Sequence, residues 1–105
     1  MNEIACSLTA RDLSARLDEI AALGRSALRR TRREEAHAEL RFAASDGIRD
    51  RVEAVVAAEA ACCAFLSMHV TESHEEIVLK IDTAEGGEPV LHELVDAFEG
   101  KLPAA

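Results

Sequence analysis

The chain has 105 residues, 49% of them hydrophobic and 30% charged, with a net charge of −8 and a pI near 4.9. That length supports one hydrophobic core and one domain, here residues 1–105. The acidic balance, with no Trp or Tyr to stack on bases, argues against a nucleic-acid or acidic-membrane partner. No apolar run approaches the ~20 residues that span a bilayer. The start of the chain carries Glu3 and lacks the basic and apolar regions of a secretion signal, so the expected compartment is the cytoplasm. There the three cysteines are expected to be thiols.

In chain order, Ile4, Cys6 and Leu8 alternate with smaller or polar residues and predict a short strand. Thr9 suits an N-cap, with Asp12 three residues on. Leu13, Leu17, Ile20, Gly24 and Leu28 then repeat at helical spacing and predict a helix from about residue 10 to about 31. Gly24 falls on the apolar stripe, where a missing side chain permits close packing against a neighbour. Arg25, Arg29, Arg30, Arg32 and Arg33 form the one basic cluster. It reads as the solvated last turn of that helix, where positive charge suits the macrodipole, in preference to an acidic-partner patch. The rest of the charge is uneven: residues 53–105 hold eleven acids and only two lysines.

Residues 36–43 alternate cleanly, Ala36, Ala38, Leu40 and Phe42 on one face and His37, Glu39 and Arg41 on the other, which predicts a strand. Ser45, Asp46 and Gly47 turn the chain into a second helix running to about Leu66. Met68 and Val70 predict a strand, Ser73 and His74 a turn, and Ile77, Leu79 and Ile81 the partner strand of a hairpin. Gly86 and Gly87 interrupt the pattern, and Pro89 suits a first helical turn. Leu91, Leu94, Val95 and Phe98 predict a last helix that Gly100 ends. Each strand has one apolar and one polar face, the mark of a sheet covered on one side. The expected fold is α+β: a two-layer sandwich with a mixed sheet of about four strands and three helices on one face. The outer sheet face is open to solvent or to a second copy, as in a homodimer.

The second helix carries the candidate chemistry. Its stripe comprises Ile48, Val52, Val55, Val56, Cys62, Cys63 and Leu66, and Glu59 projects near the middle of it. A carboxylate on a buried stripe costs several kcal/mol unless it is protonated, paired or bound to a cation. It calls either for an ion pair, with an Arg of the first helix or with Arg41, or for a pocket at the cysteines. Cys62 and Cys63 diverge by about 100° on a helix, so a bond between them is geometrically poor. They read either as small buried hydrophobes or, with Cys6 pointing inward from the first strand, as part of one thiol cluster. Three thiolates suit a soft ion, Hg(II), Cu(I), Zn(II) or trivalent arsenic, with Glu59 as a fourth ligand or a thiol proton acceptor. There is no C-x-x-C and no spaced His pair, so neither a zinc finger nor a thioredoxin-type site is indicated. Cys6 and Arg11 fall one residue short of a cysteine-phosphatase loop and lack its glycines. His37, His69, His74 and His92 project to the surface or a turn, with His37 and His69 as potential neighbours on the outer sheet face.

The segments Ala5-Cys6-Ser7-Leu8 and Glu59-Ala60-Ala61-Cys62-Cys63-Ala64-Phe65-Leu66 resemble a group of small uncharacterised bacterial proteins. Those proteins share an A-C-S-L opening and an E-x-x-C-C-x-F-L block, and some are linked to heavy-metal resistance. Ala64 departs from the proline many of them hold there. The resemblance implies that the cysteine block matters. The leading expectation is a cytoplasmic soft-metal or metalloid thiolate-binding protein, not an enzyme, with Cys6, Cys62, Cys63 and Glu59 at the ion and no organic cofactor. The alternatives are a thiol enzyme, with Glu59 as base to Cys62 or Cys63, and an interaction module with inert buried thiols.

Overall fold

The computed structural model describes residues 10–101, with the side chains of residues 15–61 and 63–101. The strand predicted at residues 4–8 and the Thr9 cap lie outside them. The described chain runs α1 (Ala10–Ala27), β1 (Leu28–Arg33), β2 (His37–Ala43), α2 (Ile48–Cys62), β3 (Leu66–Ser73), β4 (Glu76–Thr83) and α3 (Glu88–Phe98). The four strands form one sheet in the order β1-β2-β4-β3, with every described pairing antiparallel. A parallel pairing, which a mixed sheet implies, is not among them. β2, α2 and β3 form a split β-α-β unit, with β4 returning between its two strands. The result is the α+β sandwich that the alternation predicts.

The inner sheet face supplies Ala38, Leu40 and Phe42 from β2 and Ile77, Leu79 and Ile81 from β4, all buried and in register with one another. Against it pack Ile20 and Leu23 of α1, Val52 and Val55 of α2, and Leu91, Leu94, Val95 and Phe98 of α3. Phe42 and Phe98 meet edge to face at 5.5 Å across the layers. β3 and β4 are joined by His74 and Glu75 alone, at φ 48° and 65°. Positive φ at both central residues gives the turn whose twist matches the flanking strands, achieved without the usual Asn or Gly. α3 ends in a Schellman motif on Gly100 at φ 73°: the Lys101 N–H donates to the Asp96 carbonyl and the Gly100 N–H to Ala97.

Two boundaries differ from the sequence expectation. The first helix stops at Ala27, and Leu28–Arg33 is a strand. Its Leu28, Thr31 and Arg33 register with Phe42, Leu40 and Ala38, so pairing with β2 overrides a helix-compatible sequence. Arg29, Arg30, Arg32 and Arg33 therefore lie on an edge strand, and of the cluster only Arg25 occupies the last helical turn. The second helix ends at Cys62, not near Leu66, because Phe65 and Leu66 are drawn into the turn and strand that follow: the Leu66 N–H donates to Cys63 and the Ala84 N–H to Phe65.

Beyond Leu28 the inner face of β1 is polar and is clasped by the end of α3. The Arg33 guanidinium donates to Asp96 at 2.5 Å and to Glu99 at 2.8 Å, and Thr31 donates to Glu99 as well. Partial burial works to raise the Glu99 carboxyl, but hydrogen bonds from Thr31, Lys101 and Arg33 outweigh it and hold the pKa below the ordinary 4.5. A depressed carboxylate contributes stability that is present above the unfolded value and is lost as pH falls through the lower folded value. Melting temperature should therefore decline below pH 4.5, and less steeply in Glu99→Gln than in the wild type. Parallel curves for the two proteins would rule the clasp out as an acid-sensitive element.

Gly24 sits where α1 crosses the end of α3. A Cβ there would lie 1.8 Å from the Phe98 carbonyl oxygen, a backbone atom that cannot swing away. Alanine gains about 1 kcal/mol of helix propensity over glycine. Overpacking costs about 1–3 kcal/mol, and a backbone clash belongs at the upper end. Gly24→Ala should lower the unfolding free energy measured in urea by a net of about 2 kcal/mol; a stabilised variant would mean that the two helices do not approach so closely.

Candidate functional site at Glu59 and Cys63

α2 buries one stripe: Ile48, Val52, Val55, Glu59 and then Cys63 just past its end. Their spacing of three and four residues puts them on a single face. Asp50 and Glu53 project outward. Glu59 is 8% exposed and is the one buried charged residue among the described side chains. Its presence follows from α1, which lies alongside. Arg16 stands four residues before Ile20 and seven before Leu23, on the same buried face of α1. Its Nη1 donates to Glu59 Oε2 at 2.8 Å, with side-chain exposures of 16% for Arg16 and 10% for Glu59. The pairing that a buried carboxylate demands is thus met from the first helix, one of the two sources the sequence suggests.

The other oxygen, Glu59 Oε1, lies 3.9 Å from Cys63 Sγ. Cys63 is fully buried and occupies the C-cap, with φ −128° and ψ 78°, its N–H donating to the Glu59 carbonyl at 2.7 Å. Its backbone has left the helical course, yet its side chain stays on the face of Glu59. Cys63 is disulfide-bonded, which corrects the expectation of three free thiols. A bonded sulfur has no proton to donate, so its approach to Glu59 is a contact. The chain's other cysteines are Cys6, outside the described residues, and Cys62, the last residue of α2, whose side chain lies outside the described ones. Of the four candidate site residues, Glu59 and Cys63 are therefore brought together. Among the described residues no group of three or more His, Cys, Asp and Glu is arranged to hold a metal.

The histidines do not add a site. β4 runs between β2 and β3, so Asp82 and Lys80 separate His37 from His69 on the outer face. His37 Nδ1 lies 2.7 Å from Asp82, and His92 Nε2 3.2 Å from the Glu35 carbonyl. A groove of about 110 Å³ between α1 and α2 has Arg16, Leu23, Arg51 and Val55 in its walls, and it brings solvent to the cationic side of the buried pair.

Among the described residues no helix is long and apolar enough to cross a membrane. Comparison with family models, curated proteins and solved structures returns no match for the chain. The residues and their geometry are therefore the whole basis for a functional reading.

Removing one member of a buried pair strands the other charge. Arg16→Met should destabilise the protein by about 3 kcal/mol, the low end for such a loss because both side chains keep some exposure. Glu59→Gln should cost less, since it leaves no uncompensated carboxylate in the core. A double-mutant cycle by urea unfolding should show a coupling energy above about 1 kcal/mol, and strict additivity would dissolve the pair as an energetic unit.

Proposed function

We propose that the protein is a cytoplasmic soft-metal or metalloid thiolate-binding protein that sequesters or delivers an ion and does not transform it. The ligands in this reading are Cys6, Cys62 and Cys63, with Glu59 as a further ligand or as the acceptor of a thiol proton. The observation that supports it is the buried contact between the Cys63 sulfur and the Glu59 carboxylate. Cys63 is held in a disulfide bond. Reduction of that bond would free two thiols, one of them Cys63 beside a carboxylate already balanced by Arg16. Such a donor set favours Hg(II), Cu(I), Zn(II) or trivalent arsenic over hard cations.

A second reading, thiol–disulfide exchange, is favoured by the disulfide itself. An external dithiol would supply two electrons and two protons, the Cys63 disulfide would open to two thiols, and the donor would close to its own disulfide. Metal capture and exchange share the reduced state, so the reduced protein is the form to test.

The test is competitive titration of the reduced protein with Hg(II) against a chelating dithiol. Affinity should rise with pH, because thiols ionise on ligation. Cys63→Ser and Cys6→Ser should both weaken binding, and Glu59→Gln should weaken it by about 10-fold or more, as removal of a ligand's supporting group does. Unchanged affinity in both cysteine variants ends the metal reading. A protein that binds no soft ion but whose disulfide cycles reversibly with a dithiol belongs to the exchange reading.

A further inference from the structure

The basic cluster of β1 remains unaccounted for by the thiol site. β1 is an edge strand, and no described strand pairs with its outer edge. Its register with β2 shifts between Leu28 and Arg30, which leaves Arg29 as the extra residue of a bulge. The shift brings Arg29 and Arg30 to the same carboxylate: both lie within salt-bridge distance of Glu76, at 3.7 Å and 3.5 Å, where Arg41 also arrives at 3.2 Å. Three guanidinium groups thus meet at Glu76; with Glu39 bonded to Arg41 at 2.8 Å and Glu34 at 3.7 Å from Arg32, four arginines face three carboxylates, a local excess of positive charge in a chain of net charge −8. Arg32 extends the row two residues on and points to the same outer face, as alternate strand residues do. Arg29, Arg30 and Arg32 keep 55%, 67% and 75% of their side-chain surface exposed.

Concavities flank the strand on both sides. One, about 420 Å³, lies over Arg30, Arg32 and Arg41, and the other, about 330 Å³, over Arg25, Arg29 and Phe98. Arg30 and Thr31 border both. Charges on an edge strand commonly guard against unwanted pairing. A guard needs neither a bulge that gathers two arginines nor hollows beside them.

We propose that the outer edge of β1 is a docking site for an acidic, extended segment of a partner protein, added to the sheet as a fifth strand. Main-chain hydrogen bonds would hold the segment, and carboxylates at every second position would meet Arg30 and Arg32. A second copy docked by its own β1 would set arginine against arginine, so the isologous pairing is disfavoured. A nucleic acid is disfavoured by the net charge and by the absence of Trp and Tyr for stacking.

The experiment is fluorescence anisotropy of a labelled Glu-Thr alternating decapeptide with the full-length protein at low salt. Three further arms are the same peptide N-methylated at alternate residues, an oligo-dT strand, and the charge-reversed protein Arg30→Glu/Arg32→Glu. Saturable peptide binding is expected, weakened by about 10-fold or more in the variant, as loss of charge complementarity implies, and weakened comparably by N-methylation, which removes strand pairing while keeping the charges. Arg30→Gln/Arg32→Gln, checked by its melting curve, should shift affinity in the same direction and covers the case in which the reversed variant does not fold. No binding of the decapeptide, equal binding of the N-methylated peptide, tighter binding of oligo-dT, or indifference to both arginine variants would each overturn the proposal.

Discussion

The ion pair between Arg16 and Glu59 is the constraint around which the helical layer is arranged. A carboxylate in the centre of a buried stripe is tolerable only if its counter-ion is delivered to it, and Arg16 is delivered by α1. α1 must therefore lie beside α2 at a fixed depth and rotation. The same rotation turns Gly24 toward the end of α3, where its missing side chain lets the backbones approach. One pair thus ties the first helix to the second, and one glycine ties it to the third. The carboxylate that demands this arrangement also touches the Cys63 sulfur. Fold and candidate chemistry share a residue, so a change at Glu59 should be read in both stability and reactivity.

Electrostatics divides the molecule into two regions that work differently. Inside, one pair is desolvated and costly to break. Outside, the surface carries pairs that are largely exposed, such as Arg49 of α2 with Glu53 one turn on and with Glu72 of β3, and they contribute little individually. On the sheet face the Glu39 carboxyl is held low first by its hydrogen bond from Arg41, against a burial effect that raises it. Between these regimes stands the clasp of Arg33 with Asp96 and Glu99, half-buried, which holds the edge strand to the end of α3.

Much of this was legible in the sequence where side-chain period and burial agree. β2 alternates without interruption, β4 alternates except at the buried Val78, and α3 has its Pro at the start and Gly at the end. Glu59 was legible as a conflict: its type disagreed with its position, and the disagreement marked it as the buried charge that needs a partner. Arg16 was visible only as one of several arginines on the first helix, although its spacing from Ile20 and Leu23 marks it as facing inward. β1 was hidden because Leu-Arg-Arg-Thr-Arg-Arg has neither apolar alternation nor a breaker before it, and its strand state comes from pairing with β2. The end of α2 was hidden for a related reason: Ala64, Phe65 and Leu66 carry no Gly or Pro, and the requirements of β3 end the helix.

The most direct test of the account is native mass spectrometry of the reduced protein with one equivalent of Hg(II), followed by thiol counting on the complex. The account predicts one ion retained per chain, with Cys63 and at least one other cysteine protected from alkylation, and loss of the retained ion in Cys63→Ser. A reduced chain that keeps all its thiols open to alkylation and retains no ion would contradict it.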